Sequence, residues 1–280
     1  MKSNRQWLEE AANALTNSGV PDARTEAILL LALAMGESKA WVIAHQDDQF
    51  EIDRADELLS QRCQRVPFAY LRGTQEFFGR DFIVRPGVLI PRPETHHLVE
   101  TGLELIRKFQ LAKIADLGCG SGCIAVTLAL ESQLSVDAYD LHELPLEITA
   151  QNSAVLGADV RCLRGSFAEG SPGELYDLIV SNPPYVESGA DLEPEVRQFE
   201  PSEALFAGSD GLSAYRELAA AGTKWVRVGG FIALEIGAGQ ADAIAEIFAR
   251  FPFKLVESLP DFAGITRVLV FQRNDDSPKP

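Results

Sequence analysis

Apolar side chains in the first part of the chain recur at three- and four-residue steps, the period of a helix buried on one face. Leu8, Ala11, Ala12 and Leu15 form such a stripe, which Asn17-Ser18-Gly19-Val20-Pro21-Asp22 interrupts. Pro21-Asp22 reads as the start of a second helix, and the strongly apolar run 27–35 stops at Gly36. A third helix is predicted over 54–65, with Leu58 and Leu59 on its inner face. Three or four short helices make a small bundle over residues 1–75. The texture then changes. Glu76-Phe77-Phe78 and Phe82-Ile83-Val84 flank Gly79-Arg80-Asp81 as the arms of a hairpin would, a linker over 76–92 punctuated by Pro86 and Pro91. Pro93 leads into a helix over 94–108, which opens the remaining domain, 93–280.

From residue 113 onward, short apolar runs alternate with helical stretches, the signature of a parallel sheet covered by helices. Strands are predicted over 113–117, 135–140, 160–163, 176–181 and 230–236. Two further runs, 254–258 and 266–272, have no helix between them and would close the sheet as an antiparallel pair. The fold class is therefore α/β, a doubly wound, mostly parallel seven-stranded sheet with a small N-terminal helical domain and a hairpin linker. The polar tail after Arg273 reads as loose.

Two loops at strand ends carry the candidate chemistry. Asn182-Pro183-Pro184-Tyr185 follows the apolar run 176–181 and cannot extend it, because proline lacks a backbone donor and fixes φ. Asn-Pro alone is an ordinary turn; the full tetrapeptide at a strand end is a device for gripping a planar amino or amide group. Asp116-Leu117-Gly118-Cys119-Gly120-Ser121-Gly122 ends the first strand of the sheet and opens a helix at Cys123. A dinucleotide fingerprint would need a glycine at 123, where this chain has cysteine. The Gly-x-Gly-x-Gly spacing suits a nucleoside cofactor without a pyrophosphate, of which S-adenosyl-methionine is the usual one. Asp140 lies at the end of the next strand, where an acid can accept bonds from both ribose hydroxyls. For Phe167 two readings stand level, an adenine face and the core.

If the first and fourth strands of the sheet are neighbours, the two loops face each other across the site. Asn182 Oδ1 and the Pro183 carbonyl could then accept both N–H bonds of an amide nitrogen, while Tyr185 stacks on the planar group. A sulfonium is already an activated leaving group, so alignment supplies the acceleration and no general base is required beforehand. His96 and His97 adjoin at a helix start and read as surface residues.

Composition narrows the partners. The chain has 280 residues, with 25 Lys and Arg against 41 Asp and Glu, a net charge of −16. That balance argues against a phosphate backbone as partner. Cys63, Cys119, Cys123 and Cys162 form no Cys-x-x-Cys pair and show no zinc spacing with the four histidines, so reduced, mostly buried thiols and no metal are expected. The first ten residues carry acids and amides unlike a signal peptide, and no apolar run approaches membrane-spanning length. The expectation is a cytoplasmic monomer with neither a membrane nor a direct nucleic-acid partner.

These motifs together resemble the glutamine N5-methyltransferase family that modifies peptide-chain release factors, the PrmC/HemK family. Leu89-Ile90-Pro91-Arg92-Pro93-Glu94-Thr95 is similar to the segment ahead of its catalytic domain, and Asp116–Gly122 to its cofactor loop. Ser181-Asn182-Pro183-Pro184-Tyr185 is similar to its target motif. Arg197-Gln198-Phe199-Glu200-Pro201, Asp210-Gly211-Leu212 and Asp261-Phe262-Ala263-Gly264-Ile265-Thr266-Arg267-Val268 resemble later segments. The resemblance implies the class I S-adenosyl-methionine-dependent methyltransferase fold and methylation of the glutamine in the Gly-Gly-Gln motif of release factors. It implies that Asp116, Gly118, Cys119, Gly120, Ser121, Gly122, Asp140, Phe167 and Asn182 hold the cofactor. Asn182, Pro183, Pro184 and Tyr185 would seat the glutamine, with Asn182, Pro183 and Tyr185 in the chemistry. Ser166 stands where the family usually has Asp, and His96 where an acid is common. A ribosomal-protein glutamine methyltransferase, an adenine-N6 nucleic-acid methyltransferase and a non-catalytic binding module are the alternatives. The acidic charge disfavours the nucleic-acid enzyme, and the presence of both halves of a site disfavours the binding module.

Overall fold

The computed structural model describes residues 2–173, 175–261 and 263–275. Phe262 and residues 276–280 of the polar tail lie outside them. The chain divides into two compact units. One holds the residues up to Gly73 together with Leu192–Phe199, the other Thr74–Asp191 and the chain from Glu200 onward.

In the first unit, β1 (Lys2–Ser3) pairs antiparallel with β2 (Gln49–Phe50). Helix α1 (Asn4–Asn17) starts at a capping box in which the Ser3 side chain accepts from Gln6 N. Trp7, Ala11 and Leu15 repeat at four-residue steps and are fully buried. They pack with Leu30, Leu31, Val42 and Leu58 from α2 (Ala23–Met35), α3 (Lys39–Ala44) and α4 (Asp53–Cys63). Gly36 ends α2 in the left-handed region at φ 70°, as its position predicts. With α5 (Phe68–Arg72) the described residues of this stretch hold five helices, not three or four. The two that the pattern missed, α3 and α5, have six and five residues, too few for a period to register.

The second unit opens with the hairpin of β3 (Thr74–Phe77) and β4 (Arg80–Ile83). Its turn is Phe78-Gly79, both at positive φ, one position earlier than the Gly79-Arg80-Asp81 centre that the sequence suggested. A 3-10 turn at Pro93–Thr95 leads into α6 (His96–Phe109). There follow β5 (Ile114–Leu117), α7 (Cys123–Ser132), β6 (Val136–Asp140), α8 (Glu143–Leu156), β7 (Val160–Arg164) and β8 (Tyr176–Ser181). Helices α9 (Pro194–Phe199, part of the first unit), α10 (Ser202–Leu205) and α11 (Ser213–Trp225) precede β9 (Val226–Glu235). Helix α12 (Ala241–Phe248) and the strands β10 (Phe253–Pro260) and β11 (Thr266–Arg273) complete the unit.

The seven-stranded sheet has the order β10-β11-β9-β8-β5-β6-β7. Strands β9, β8, β5, β6 and β7 run parallel, whereas β11 pairs antiparallel with both β9 and β10, as expected for the closing pair. Alternate residues feed opposite faces. Ile114, Leu178, Val180 and Ala233 join one buried cluster, while Ala115, Ile179, Ile232 and Leu234 join the other. Strand order reverses between β5 and β8, so the first and fourth strands are neighbours and a crevice opens at their carboxyl ends.

At the opposite end, Asp177 joins the two central strands. Its Oδ2 accepts from Ala112 N and Lys113 N at 2.8 and 2.9 Å, and Arg227 Nε bonds its Oδ1. Burial pushes this carboxyl up, but the backbone donors and the guanidinium outweigh it and hold it below the usual range. Asp177→Ala should therefore lower stability by about 1–3 kcal/mol in urea unfolding at neutral pH. The gap to wild type should shrink as the pH falls below the ordinary carboxylate range, where Asp177 takes up a proton.

Candidate active site

The glycine loop at the end of β5 is built by its own backbone. Gly118 N and Cys119 N both donate to Tyr139 O at 2.8 and 2.9 Å, and Gly122 N closes the turn on Cys119 O at 2.7 Å. Gly122 needs to be glycine for two reasons: its φ is 78°, and a Cβ there would lie 2.8 Å from Thr149 side-chain atoms. From the buried side, Asn152 Nδ2 donates to Ser121 O at 2.8 Å, and Asn152 Oδ1 accepts from Ile83 N at 2.7 Å. Asn152 thus joins the loop to the hairpin, a role that sequence reasoning missed. Its signal is an amide on the buried face of α8.

Two acids serve this loop. Asp140 is partly exposed and accepts from Gly120 N at 3.2 Å and His142 N at 3.0 Å, which leaves lone pairs on both oxygens. Asp116 is fully buried; its Oδ2 accepts from Ala125 N at 3.2 Å and its Oδ1 has no partner. Burial pushes its pKa up to about 7, although the Ala125 bond opposes the shift. Burial likewise raises the Cys119 thiol well above its ordinary value and pushes Cys123 up to about 12. Both are inert neutral thiols. Cys63 and Cys162 are half-buried and free.

A cavity of about 630 Å³ lies over this end of the sheet. Gly118, Cys119, Gly120, Ser121, Asp140 and Phe167 form one part of its wall, and Asn182, Pro184, Thr95 and Arg92 another. Asp116, Gly122, Pro183 and Tyr185 lie outside the wall. Phe167 belongs to both of its readings: it faces the cavity and also packs on the core cluster that holds Trp225, whose Nε1 donates to Phe167 O at 2.8 Å. Leu141, Leu144 and Ser166 also line the cavity.

The Asn182–Tyr185 turn is anchored at both ends. Ser181 Oγ donates to Leu117 O at 2.5 Å, which ties the end of β8 to the end of β5. Beyond the turn, Gln240 Nε2 donates to Tyr185 O at 3.0 Å while Gln240 Oε1 accepts from Gly237 N at 3.0 Å. Val186 then pairs with the returning chain at Phe206. Burial raises the Tyr185 phenol, with Glu235 adding to the effect. Asn182 Nδ2 donates to Thr95 Oγ1 at 3.3 Å. Beneath them Glu235, the last residue of β9, is 2% exposed, and burial pushes its pKa up to about 7 against hydrogen bonding from Thr95 and Asn182. Neither Thr95 nor Glu235 received a role from the sequence. The signal for Glu235 was an acid closing an apolar strand, the same signal that marked Asp140.

The histidine reading needs correction. His96 is half-buried, stands edge-on to Phe77 and Phe78, and its Nε2 accepts from Phe78 N at 3.2 Å. It braces the hairpin while keeping part of its ring in solvent. Arg92 pairs with the buried Glu200, whose Oε2 also accepts from Ile90 N at 3.0 Å, so the 89–95 segment is held against the cavity.

Comparison with known proteins places these features. Residues 6–73 match the model of the PrmC N-terminal domain, and residues 97–200 that of the methyltransferase small domain. The release factor glutamine methyltransferase of Koribacter versatilis is 39% identical, over 95% of this chain and 97% of its own. That of Geobacter sulfurreducens is 38% identical over 95% of each chain, and that of Neisseria gonorrhoeae 46% identical over 77% of this chain and 80% of its own. Among solved structures, a methyltransferase from Pyrococcus furiosus aligns with a TM-score of 0.55 at 18% identity, covering 77% of this chain and all of that one. That likeness supports the fold. Among the described residues no helix is long and apolar enough to cross a membrane.

Gly122→Ala should destabilise the protein by more than the ~1–2 kcal/mol of left-handed backbone strain, because Thr149 must also move; thermal unfolding reads this directly. For Glu235 the sign runs opposite to that of Asp177. A carboxyl whose pKa is raised by folding stabilises when protonated, and that contribution is lost as the pH rises toward the folded value. The stability of wild type relative to Glu235→Gln should fall by about 1.4 kcal/mol per pH unit between roughly pH 4.5 and 7, then level off, in denaturant titrations of the ligand-free protein.

Proposed function

The chain belongs to the release factor glutamine methyltransferase family, and we propose that it transfers the methyl group of S-adenosyl-methionine to the side-chain amide of the glutamine in the Gly-Gly-Gln motif of peptide-chain release factors. One observation carries the reading: the glycine loop of β5 and Asn182 of the β8 turn line the same cavity.

The residues fit the cofactor. Asp140 keeps acceptor capacity for ribose hydroxyls, and Phe167 offers a flat wall. The unpartnered Oδ1 of buried Asp116 beneath the loop favours a cation bound above it, such as the ammonium of the methionine part. When bound, the cofactor supplies a methyl group on a sulfonium. The rest falls to the turn. Asn182 Nδ2 is engaged by Thr95, so Oδ1 is the end left to accept an amide N–H of the substrate. Pro183, behind the wall, holds Asn182 in place rather than meeting the substrate, and the bond to Asn182 Oδ1 aligns the amide nitrogen with the methyl carbon. The alkylated nitrogen is acidic and releases its proton to solvent. Pro184 shapes the cavity wall, and Tyr185 behind it closes the turn, its carbonyl held by Gln240 Nε2. We assign recognition of the release factor body to the helical unit. The net charge of −16 is compatible with a protein partner and disfavours direct nucleic-acid binding.

Mass spectrometry of release factor from cells lacking this protein should find the Gly-Gly-Gln glutamine unmethylated; full methylation there would remove the assignment. Asn182→Ala should lower methyl transfer by about a hundredfold or more, while calorimetry still detects S-adenosyl-methionine binding.

A further inference from the structure

Glu235 is an expensive residue to bury, and its surroundings do not neutralise it by a direct ion pair. Its Oε2 has no hydrogen-bond partner. Its backbone is held from two sides: Tyr215 Oη donates to Glu235 O at 2.9 Å, and the next residue, Ile236, donates its N–H to Arg267 O at 2.9 Å. Arg267, the cation that acts on it, is already paired with Asp261 at 2.9 Å. Two side chains meet the carboxyl as hydrogen-bonding groups, Thr95 and Asn182. Since Asn182 Nδ2 donates to Thr95 Oγ1, the Thr95 hydroxyl proton is free to point at the carboxylate. Donation therefore runs inward, from the Asn182 amide nitrogen to Thr95 Oγ1 and from both side chains toward the Glu235 carboxyl.

We propose that Glu235, together with Thr95, is the positioning residue that locks the Asn182 amide with its nitrogen inward and its oxygen toward the cavity. A carboxylate can only accept, so it draws both the Asn182 NH₂ and the Thr95 hydroxyl toward itself and leaves the Thr95 oxygen to receive an Asn182 N–H. A neutral amide at 235 could present either end, and the chain of donors would lose its direction. An inverted Asn182 would aim its NH₂ at the substrate NH₂, donor against donor. The inference rests on the methyl-transfer reading of Asn182. It also explains Thr95, the last residue of the 89–95 segment, whose function the cofactor and target loops leave unaccounted for.

The ionised form of Glu235 enforces the direction, so turnover should follow its titration. The charged or titratable groups that face it are Glu94 from the 3-10 turn, Arg267 from β11, Tyr185 after β8, Tyr215 from α11 and Cys123 from α7. Glu94 raises its pKa and Arg267 lowers it, while the phenols and the thiol are neutral through this range.

The test uses the full chain, radiolabelled S-adenosyl-methionine at saturation and purified release factor. Glu235→Gln and Thr95→Val should each lower kcat by about ten- to a hundredfold with S-adenosyl-methionine affinity unchanged. Thr95→Ser, which keeps the hydroxyl, should stay near wild type. The wild-type kcat should rise through an inflection near pH 7 that Glu235→Gln abolishes. In the ligand-free protein, a carbon-13 NMR titration should place the Glu235 carboxyl higher in Thr95→Val, which lacks the stabilising donor. Wild-type kcat in Glu235→Gln or Thr95→Val, loss of activity in Thr95→Ser equal to that in Thr95→Val, or an unmoved Glu235 titration would each overturn the relay. If Glu235→Gln fails to fold, the Thr95 pair and the titration decide. A wild-type protein that binds S-adenosyl-methionine yet never methylates release factor would instead remove the underlying reading.

Discussion

The site depends on β8 pairing with β5 rather than with β7, the strand that precedes it in the chain. That parallel pairing sets Ala115 beside Ile179 and Asp116 beside Val180, and the Ser181 hydroxyl closes it on Leu117 O. Two chain reversals then leave the sheet side by side. One is flexible in φ and built from glycine; the other is stiff and built from proline. Hydrophobic burial decides the pairing. All but one residue of β8 is buried, so it belongs in the middle of the sheet, whereas β7 has no fully buried residue and takes an edge.

Each half of the cavity rests on a buried carboxyl that lacks a full set of partners, Asp116 under the glycine loop and Glu235 under the asparagine turn. Taking an ionised carboxylate out of water without a cation is costly, and both groups respond by holding their protons up to about pH 7. A core selected for stability alone would place apolar side chains there. Their retention at the carboxyl ends of β5 and β9 fits a site that receives a cation and must orient an amide. The Arg62–Glu26 and Arg62–Glu195 pairs of the helical unit serve as the contrast: there the buried charge meets two opposite partners at 3.0 Å.

The legible parts of the fold were those with a long period or rare chemistry. Strands β5, β6, β8 and β11 announce themselves as apolar runs bounded by glycine or acids, and α1 by its four-residue stripe. Helices α3 and α5 could not be read because a single turn and a half contains no repeat. The Gly118–Gly122 loop, Asp140 and Asn182 were legible because their residue types are costly in any other place, whereas Phe167 stood level between cavity and core; all of them except Gly122 line one cavity. Thr95, Asn152, Glu235 and Gln240 were not. Each is an ordinary polar residue whose meaning lies in a partner that is distant in sequence, as when Gln240 reaches Tyr185 O across 55 positions.

The alternation of strands and helices, the two loops at strand ends and the kinds of atom that they present are written in the chain itself. These follow from local rules: proline ends a strand, glycine permits positive φ, and apolar periodicity selects the element. Strand order and packing set which way Asn182 faces, place Pro183 and Tyr185 behind the cavity wall, and make the half-buried His96 a brace for the hairpin. Those outcomes depend on hydrogen bonds between side chains brought together by strand order, and no local pattern encodes the direction in which a donor points.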